Sequence, residues 1–252
     1  MIDVYGGVFT DIYINGDAPH KKQIDIFPGG SGFNIALGLS ILKNKVRFIG
    51  NIGNDEYANT TLKILKDKGI NIDFLNVRNE KSDIFISQNE KPLAIQRKNN
   101  EEEVCFPEKI SEYAFVNTEI NKNDFDKIIN LDYKMIFIDS GPRHFILKNY
   151  FKKDNHILIS NKDSDISTDL IDLGKMDIEG FYYKDQFYPS NGKELKYKFG
   201  TGDFLDAIFI DYYLKNRIGN NNLYKIIKKI EMTNEIKGAY NKIKTLEKKD
   251  GF

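Results

Sequence analysis

Residues 29–70 read GGSGFNIALGLSILKNKVRFIGNIGNDEYANTTLKILKDKGI. The order is a glycine turn, an apolar helix, a strand, a second turn and an amphipathic helix. Asn34 to Leu42 is apolar on nearly every side, as expected of a helix buried on several faces. Val46 to Ile49 is a branched and aromatic run that predicts a strand. Glu56 to Gly69 predicts a helix with an apolar stripe through Leu62 and Leu65 and a glycine stop. The same alternation extends outward. Ile2 to Tyr5 and Asp11 to Ile14 precede it, while Lys134 to Ile138 and His156 to Ile159 follow, flanking a helix-sized segment, Arg143 to Lys153. Strands alternating with helices predict an α/β fold whose sheet is parallel and covered by helices.

Residues 74–106 break the rhythm. Phe74 to Val77, Asp83 to Ser87, Leu93 to Gln96 and Val104 to Phe106 are strand-like with no helix between them. They predict a small β excursion with the charged Asn99 to Glu103 stretch at its tip. The last fifty residues or so read as helices over Asp203 to Asn216, Leu223 to Met232 and Asn234 to Lys248.

Composition narrows the function classes. The chain has 252 residues, 40% hydrophobic, enough for one substantial core. Its 37 basic and 37 acidic side chains cancel, which argues against a generally basic nucleic-acid binder. Cys105 is the single cysteine, so no intrachain disulfide forms and a reducing compartment is expected. No signal-peptide pattern opens the chain and no apolar run approaches a membrane span, so a soluble, cytoplasmic protein is expected. A Walker-type phosphate loop, GxSxG and HExxH are all absent. His20, His144 and His156 lack ligand-like spacing, and no metal site is read from the sequence.

Two glycine clusters remain. Gly29-Gly30-Ser31-Gly32-Phe33-Asn34 lets backbone approach a ligand closely, and Asn34 can both donate to and accept from sugar hydroxyls. The segment reads equally as a turn with Asn34 near a helix cap. Gly200-Thr201-Gly202-Asp203 opens a helix, where consecutive amides and the helix dipole suit a phosphoryl group. Asp203 there is placed to take a proton from a hydroxyl; taken alone it also reads as an ordinary acid stabilising a helix start. A dinucleotide fingerprint fails, because its third glycine position holds Leu205.

Together these segments resemble the ribokinase-like (PfkB) carbohydrate and nucleoside kinases. Gly29-Gly30 with Asn34 and Ala36, followed by Val46 to Ile70, looks like that family's N-terminal signature, and the GTGD run looks like its GAGD signature. The resemblance implies one ribokinase-like domain over 1–252, a three-layer α/β/α sandwich with a β lid formed mainly by 11–28 and 74–106. It implies ATP-dependent transfer of a phosphoryl group to a hydroxyl of a sugar, sugar derivative or nucleoside, with Mg²⁺. Asp203 would be the base and the amides of Gly200, Thr201 and Gly202 the anion hole. Asp11, Gly29, Gly30 and Asn34 would bind sugar hydroxyls. Arg97 in the lid would contact substrate or stand as a solvated surface arginine. Asn161 would serve the nucleotide; Asn234 would line the adenine pocket or be a surface helical Asn. A homodimer through the lid is also implied, and no nucleic-acid or membrane partner.

The match is uneven. Tyr197, Lys198 and Phe199 replace the Asp-Thr that usually precedes the C-terminal signature, and Ala58 replaces a glycine after Asp55. Asn161-Lys162-Asp163-Ser164 is the nearest candidate for the Asn-x-x-Glu motif and lacks the Glu. The usual Thr-x-Gly strand is missing, although Glu179 to Tyr188 resembles the hairpin that follows it. The shortening falls around 139–180, on the nucleotide side. The competing expectation is therefore a non-catalytic or weakened sugar- or nucleoside-binding relative.

Overall fold

Branched and aromatic runs with no polar face need cover on both sides, and such runs form the middle of the sheet. The computed structural model describes residues 1–161 and 164–248. In chain order, β1 (Ile2–Tyr5) leads to a hairpin of β2 (Phe9–Asn15) and β3 (Gln23–Gly29). Then follow α1 (Ser31–Ile41), β4 (Val46–Ile52), α2 (Glu56–Asp67) and β5 (Asn71–Val77). A second hairpin joins β6 (Ile84–Gln88) to β7 (Lys91–Gln96). The chain continues through β8 (Tyr113–Asn117), α3 (Lys122–Ile128), β9 (Met135–Asp139), β10 (His156–Asn161) and β11 (Leu173–Lys175). It ends with β12 (Gly180–Tyr183), β13 (Gln186–Pro189), α4 (Thr201–Leu214), α5 (Asn220–Met232) and α6 (Ala239–Lys244).

Nine strands make one sheet in the order β13-β12-β11-β10-β9-β8-β1-β4-β5, parallel except for the β11-β12-β13 edge. Alternate residues along each strand serve opposite faces. Ile2, Val4, Phe115, Phe137 and Ile159 pack with α1, α2, α4 and α5. Tyr5, Val116, Ile136, Ile138 and Leu158 pack with α3 and a 3-10 segment, Gly141–Leu147. The architecture is thus the expected α/β/α sandwich, with one helix layer much thinner than the other. α1 is buried at every position from Gly32 to Leu39, as its uniform apolarity requires.

Four expectations shift. Phe74 to Val77 is not part of the lid: α2 ends at Asp67, Gly69 turns the chain at φ 69°, and it returns as β5 beside β4 in parallel. Val104 to Phe106 forms no strand; the Val104 amide donates to buried Asp124 at 2.8 Å, docking this stretch on the thin face. Arg143 to Lys153 is not a helix, because Gly141 (φ 48°) and Pro142 open it and Arg143 (φ −110°, ψ 42°) kinks the 3-10 segment. Likewise the last helix starts only at Ala239, after Gly238 at φ 80°.

The four-stranded lid runs β3-β2-β6-β7, with β2 and β6 parallel. Register pairs Ile12 with Ile26 and Ile86, and Ile14 with Ile24, on one face. Asp11, Tyr13 and Phe85 point the other way, into the cavity described below. Tyr13 and Phe85 meet Phe199, ring centroids 5.9 and 5.2 Å away, so the lid's inner face touches the chain just before the GTGD turn.

Asp55 secures the base of the lid. Its carboxylate caps α2 at the Ala58 amide (2.9 Å) and accepts from the Ser82 amide (2.8 Å) and hydroxyl (2.6 Å). Partial burial pulls its pKa up, but these donors outweigh that and hold it below the usual carboxylate range. Asp55→Ala is expected to cost about 1–2 kcal/mol, at the upper end for a lost helix cap, in urea unfolding monitored by circular dichroism.

Candidate active site

Parallel strands leave a crevice beyond their carboxyl ends, and there the polar residues gather. A cavity of about 1210 Å³ lies between this edge of the sheet, the lid and the starts of α1 and α4. Asp139 and Lys175 end β9 and β11, Asn161 ends β10, and Glu119 follows β8 by two residues; all four line it.

The two glycine clusters meet in this cavity. Asn34 Nδ2 donates to Asp203 Oδ2 at 2.7 Å across 169 residues of sequence. Asn34 Oδ1 is buried and has no hydrogen-bond partner among the described residues. Asp11 is buried nearby, accepting from the Tyr13 hydroxyl at 3.0 Å. Gly29 leaves it room, since a Cβ there would stand 2.2 Å from the Asp11 carboxyl carbon. Gly30 lines the same wall. Glu119, unremarked in the sequence reading, accepts from the Ser31 amide at 2.9 Å and from Asn117 Nδ2 at 3.1 Å. It sits in YAFVNTEI, a stretch with no motif; only the strand ending two residues earlier hints at it.

Three carboxylates so close in a buried site raise one another's pKa values. Burial pushes Asp11 up to about 7, with the Glu119 and Asp203 charges adding and the Tyr13 hydrogen bond opposing. Burial also lifts Glu119 to about 7, with Asp203 reinforcing and its own donors resisting. Asp203 is raised by burial too, while the Asn34 amide and the Lys175 ammonium pull back.

The GTGD turn is anchored from below. Gly200 adopts φ 80°, ψ 0°, and a Cβ there would stand 2.2 Å from the Ala239 Cα. The Thr201 amide donates to the Lys198 carbonyl at 3.2 Å, whereas Gly202 and Asp203, in the first turn, have no intrahelical acceptor. Buried Lys242 donates to Thr201 Oγ1 and the Tyr197 carbonyl, both at 2.6 Å, and burial pulls its pKa down to about 8.

Lys175 is the second residue the sequence reading missed. Its ammonium contacts Asp206 Oδ2 at 2.7 Å and Asp139 Oδ1 at 3.3 Å, and a Cβ on Gly202 would stand 3.3 Å from it. Burial alone would depress its pKa; Asp139 and Asp206 outweigh that and keep it charged. A fixed cation therefore stands beside the free amides of α4.

Asn161 borders the cavity at the end of β10, its carbonyl bonded to the Ser164 amide at 3.2 Å; Lys162 and Asp163 lie outside the described residues. Asn234 also borders it, accepting from the Lys196 amide at 2.6 Å and donating to the Glu194 carbonyl at 3.3 Å. Ile227, Ile230 and Ala239 give this end an apolar wall. Arg97 lies across the cavity, at the lid.

The chain is similar to kinases of sugars and nucleosides. Residues 1–124 match the family described as pfkB family carbohydrate kinase. A segment is 37% identical over 82 residues to guanosine-inosine kinase of Exiguobacterium acetylicum, covering 30% of this chain and 27% of that protein. Another is 43% identical over 65 residues to 5-dehydro-2-deoxygluconokinase of Mesomycoplasma hyopneumoniae, covering 25% of this chain and 18% of that one. These matches span less than a third of the relatives' own lengths. Over the fold, ribokinase from Cryptococcus neoformans var. grubii in complex with ADP superposes at TM-score 0.76 with 14% identity, covering 98% of each chain. Arabidopsis thaliana ribokinase complexed with ribose and ATP gives 0.71 and 17%, again with 98% coverage of each. The chain thus has the ribokinase fold throughout, and its first 124 residues match the pfkB carbohydrate kinase family in sequence.

The raised carboxylates carry a testable cost. A group whose folded pKa exceeds its unfolded value favours folding at low pH and loses that contribution as pH rises through the folded value. Glu119→Gln retains an acceptor for Ser31 but carries no charge. It is expected to raise Tm by a few degrees at about pH 8, with the gap closing near pH 5, in paired thermal melts.

Proposed function

We propose that the protein is an ATP-dependent kinase that phosphorylates a hydroxyl of a sugar, sugar derivative or nucleoside. The carrying observation is the placement of Asp203: first turn of α4, hydrogen-bonded to Asn34, facing the cavity that Asp11 and Glu119 also line. In this reading Asp11, Glu119 and the unpaired Asn34 Oδ1 hold the acceptor's hydroxyls. Asp203 accepts the proton of the reacting hydroxyl, whose oxygen bonds to the γ-phosphorus as the bond to the ADP oxygen breaks. Charge gathers on the transferring oxygens, and the Gly202 and Asp203 amides with the Lys175 ammonium stand where they stabilise it. The Gly200 and Thr201 backbone sets this turn. Mg²⁺ would arrive with the nucleotide, held by phosphate oxygens and water. The apolar wall of Ile227, Ile230 and Ala239 would take the base, with Asn234 fixing the loop beside it. Asn161 would face the phosphates. The lid would exclude water from the transfer.

A second reading, a weakened sugar- or nucleoside-binding relative, draws on the pared helix layer, where α3 has only seven residues. One experiment separates the two: ADP release with Mg-ATP over a panel of sugars and nucleosides, comparing wild type, Asp203→Asn and Lys175→Met. The kinase reading expects kcat to fall by about 10³-fold or more for Asp203→Asn with little change in acceptor binding, and by about 10²-fold for Lys175→Met. Acceptor binding without ADP release in any protein would favour the binder.

The reading extends to a homodimer formed through the lid. Its outer face carries Ile12, Ile14 and Ile86, and Ile24 there is 59% exposed. Lysines in place of Ile24 and Ile26 are expected to convert a dimer to a monomer in light scattering. A wild-type monomer at micromolar concentration refutes it.

A further inference from the structure

Arg97 follows β7 at the lid side of the cavity, its guanidinium 5.7 Å from the Phe9 ring centroid. Among the described residues it makes no ion pair, and its Nε is buried without a hydrogen-bond partner. The carboxylates around it are already engaged. Glu101 accepts from Arg143 Nη1 at 2.8 Å. Asp83 accepts from the amides of Lys98, Asn99 and Asn100, each at 3.0 Å, and from two asparagine side chains. Glu119 is held by Ser31 and Asn117. Burial pulls the Arg97 pKa below its ordinary value, yet a guanidinium stays charged in proteins. A half-buried cation lining a cavity, with every nearby carboxylate bonded elsewhere, is costly until a ligand supplies its partner.

We infer that the acceptor carries an anionic group, a carboxylate or a phosphate monoester, which Arg97 holds while the reacting hydroxyl lies at Asp203. The inference rests on the kinase reading for the role of Asp203, and on the unpartnered Arg97 for the charge. A planar guanidinium presents a fork that fits either group with two hydrogen bonds. The rest of the site enforces one direction. Asp11 and Asp203 repel an anion, so the charged group is drawn to Arg97 and the hydroxyl donors to these two acids. A neutral polyol would satisfy the acids and leave Arg97 unpaired.

The test compares matched acceptors: D-ribose with D-ribonate and ribose phosphates, and D-glucose with D-gluconate and glucose phosphates. Each is assayed for ADP release and, without nucleotide, for a thermal shift, in wild type, Arg97→Gln and Arg97→Lys. Wild type is expected to favour an anionic member of a series by 10-fold or more in kcat/KM. Arg97→Gln should lose about 10²-fold on that acceptor and less than about 3-fold on neutral ones, with Arg97→Lys between. Preference for the acid assigns a carboxylate, and preference for the phosphate ester assigns a phosphate. A thermal shift by the anionic sugar that vanishes in Arg97→Gln, with no ADP released, upholds the inference while the kinase reading fails. Neutral sugars turned over as well as their anionic partners, equal losses on both in Arg97→Gln, or no anionic acceptor bound at all, overturns it.

Discussion

Everything at the site depends on one contact, the hydrogen bond from Asn34 to Asp203. It joins the starts of two helices that pack side by side on the thick face of the sheet. Their spacing is set deeper in the layer, where Gly38 of α1 lies against Ala207 of α4 so closely that a Cβ on Gly38 would stand 2.8 Å from the Ala207 Cβ. Both helices point their N-termini at the cavity, so two positive dipole ends converge there, beside the Gly202 and Asp203 amides that α4 leaves without an intrahelical acceptor. That convergence lets a protein of zero formal net charge hold negative groups in one place. It also explains why carboxylates can be buried alongside: the helix starts offset part of their charge.

The offset is incomplete, as the near-neutral pKa values of Asp11 and Glu119 demonstrate. Each acid has a donor of its own, Tyr13 for Asp11, Ser31 and Asn117 for Glu119, and Asn34 for Asp203. Three carboxyls facing one cavity still leave lone pairs over, and hydroxyl-rich ligands supply donors for them. The structural cost and the binding capacity are the same property. By contrast, a buried acid near the amino end of β1 is fully satisfied. Asp3 takes two hydrogen bonds from Arg47 at 2.8 Å each and others from Ser111 and Tyr133. Burial at the opposite ends of the strands therefore has opposite meanings: a closed network there, and an open one at the cavity.

The sequence made the fold and half of the site legible, for physical reasons. Glycine clusters stand out because nothing else tolerates those backbones and close approaches, so Gly29, Gly30, Asn34 and the GTGD turn were read before their meeting was seen. Apolar helices such as α1 were equally plain, since burial on all sides leaves no polar face. Glu119 and Lys175 were invisible because each follows or ends a short strand, and what they face is set by strand order rather than by local pattern. β11 has three residues, too few to show a period, and its neighbour in the sheet lies elsewhere in sequence. The failed helix over Arg143 to Lys153 has a local cause, Gly141-Pro142, that counting residues for a helix overlooked.

The missing helix and the visible cation belong to one account of the nucleotide side. Around 139–180 the chain forms no α-helix among the described residues, yet Asp139 and Lys175 from that stretch reach the cavity. Lys175 is held by Asp139 from one strand and by Asp206 from α4, one turn after Asp203. The pair fixes the ammonium beside the amides without any help from the thinned layer. Strand ends and one long helix thus hold the Lys175 ammonium beside the first amides of α4. The charge at this end of the cavity therefore depends on the sheet and on the thick helix layer, and not on the thin one.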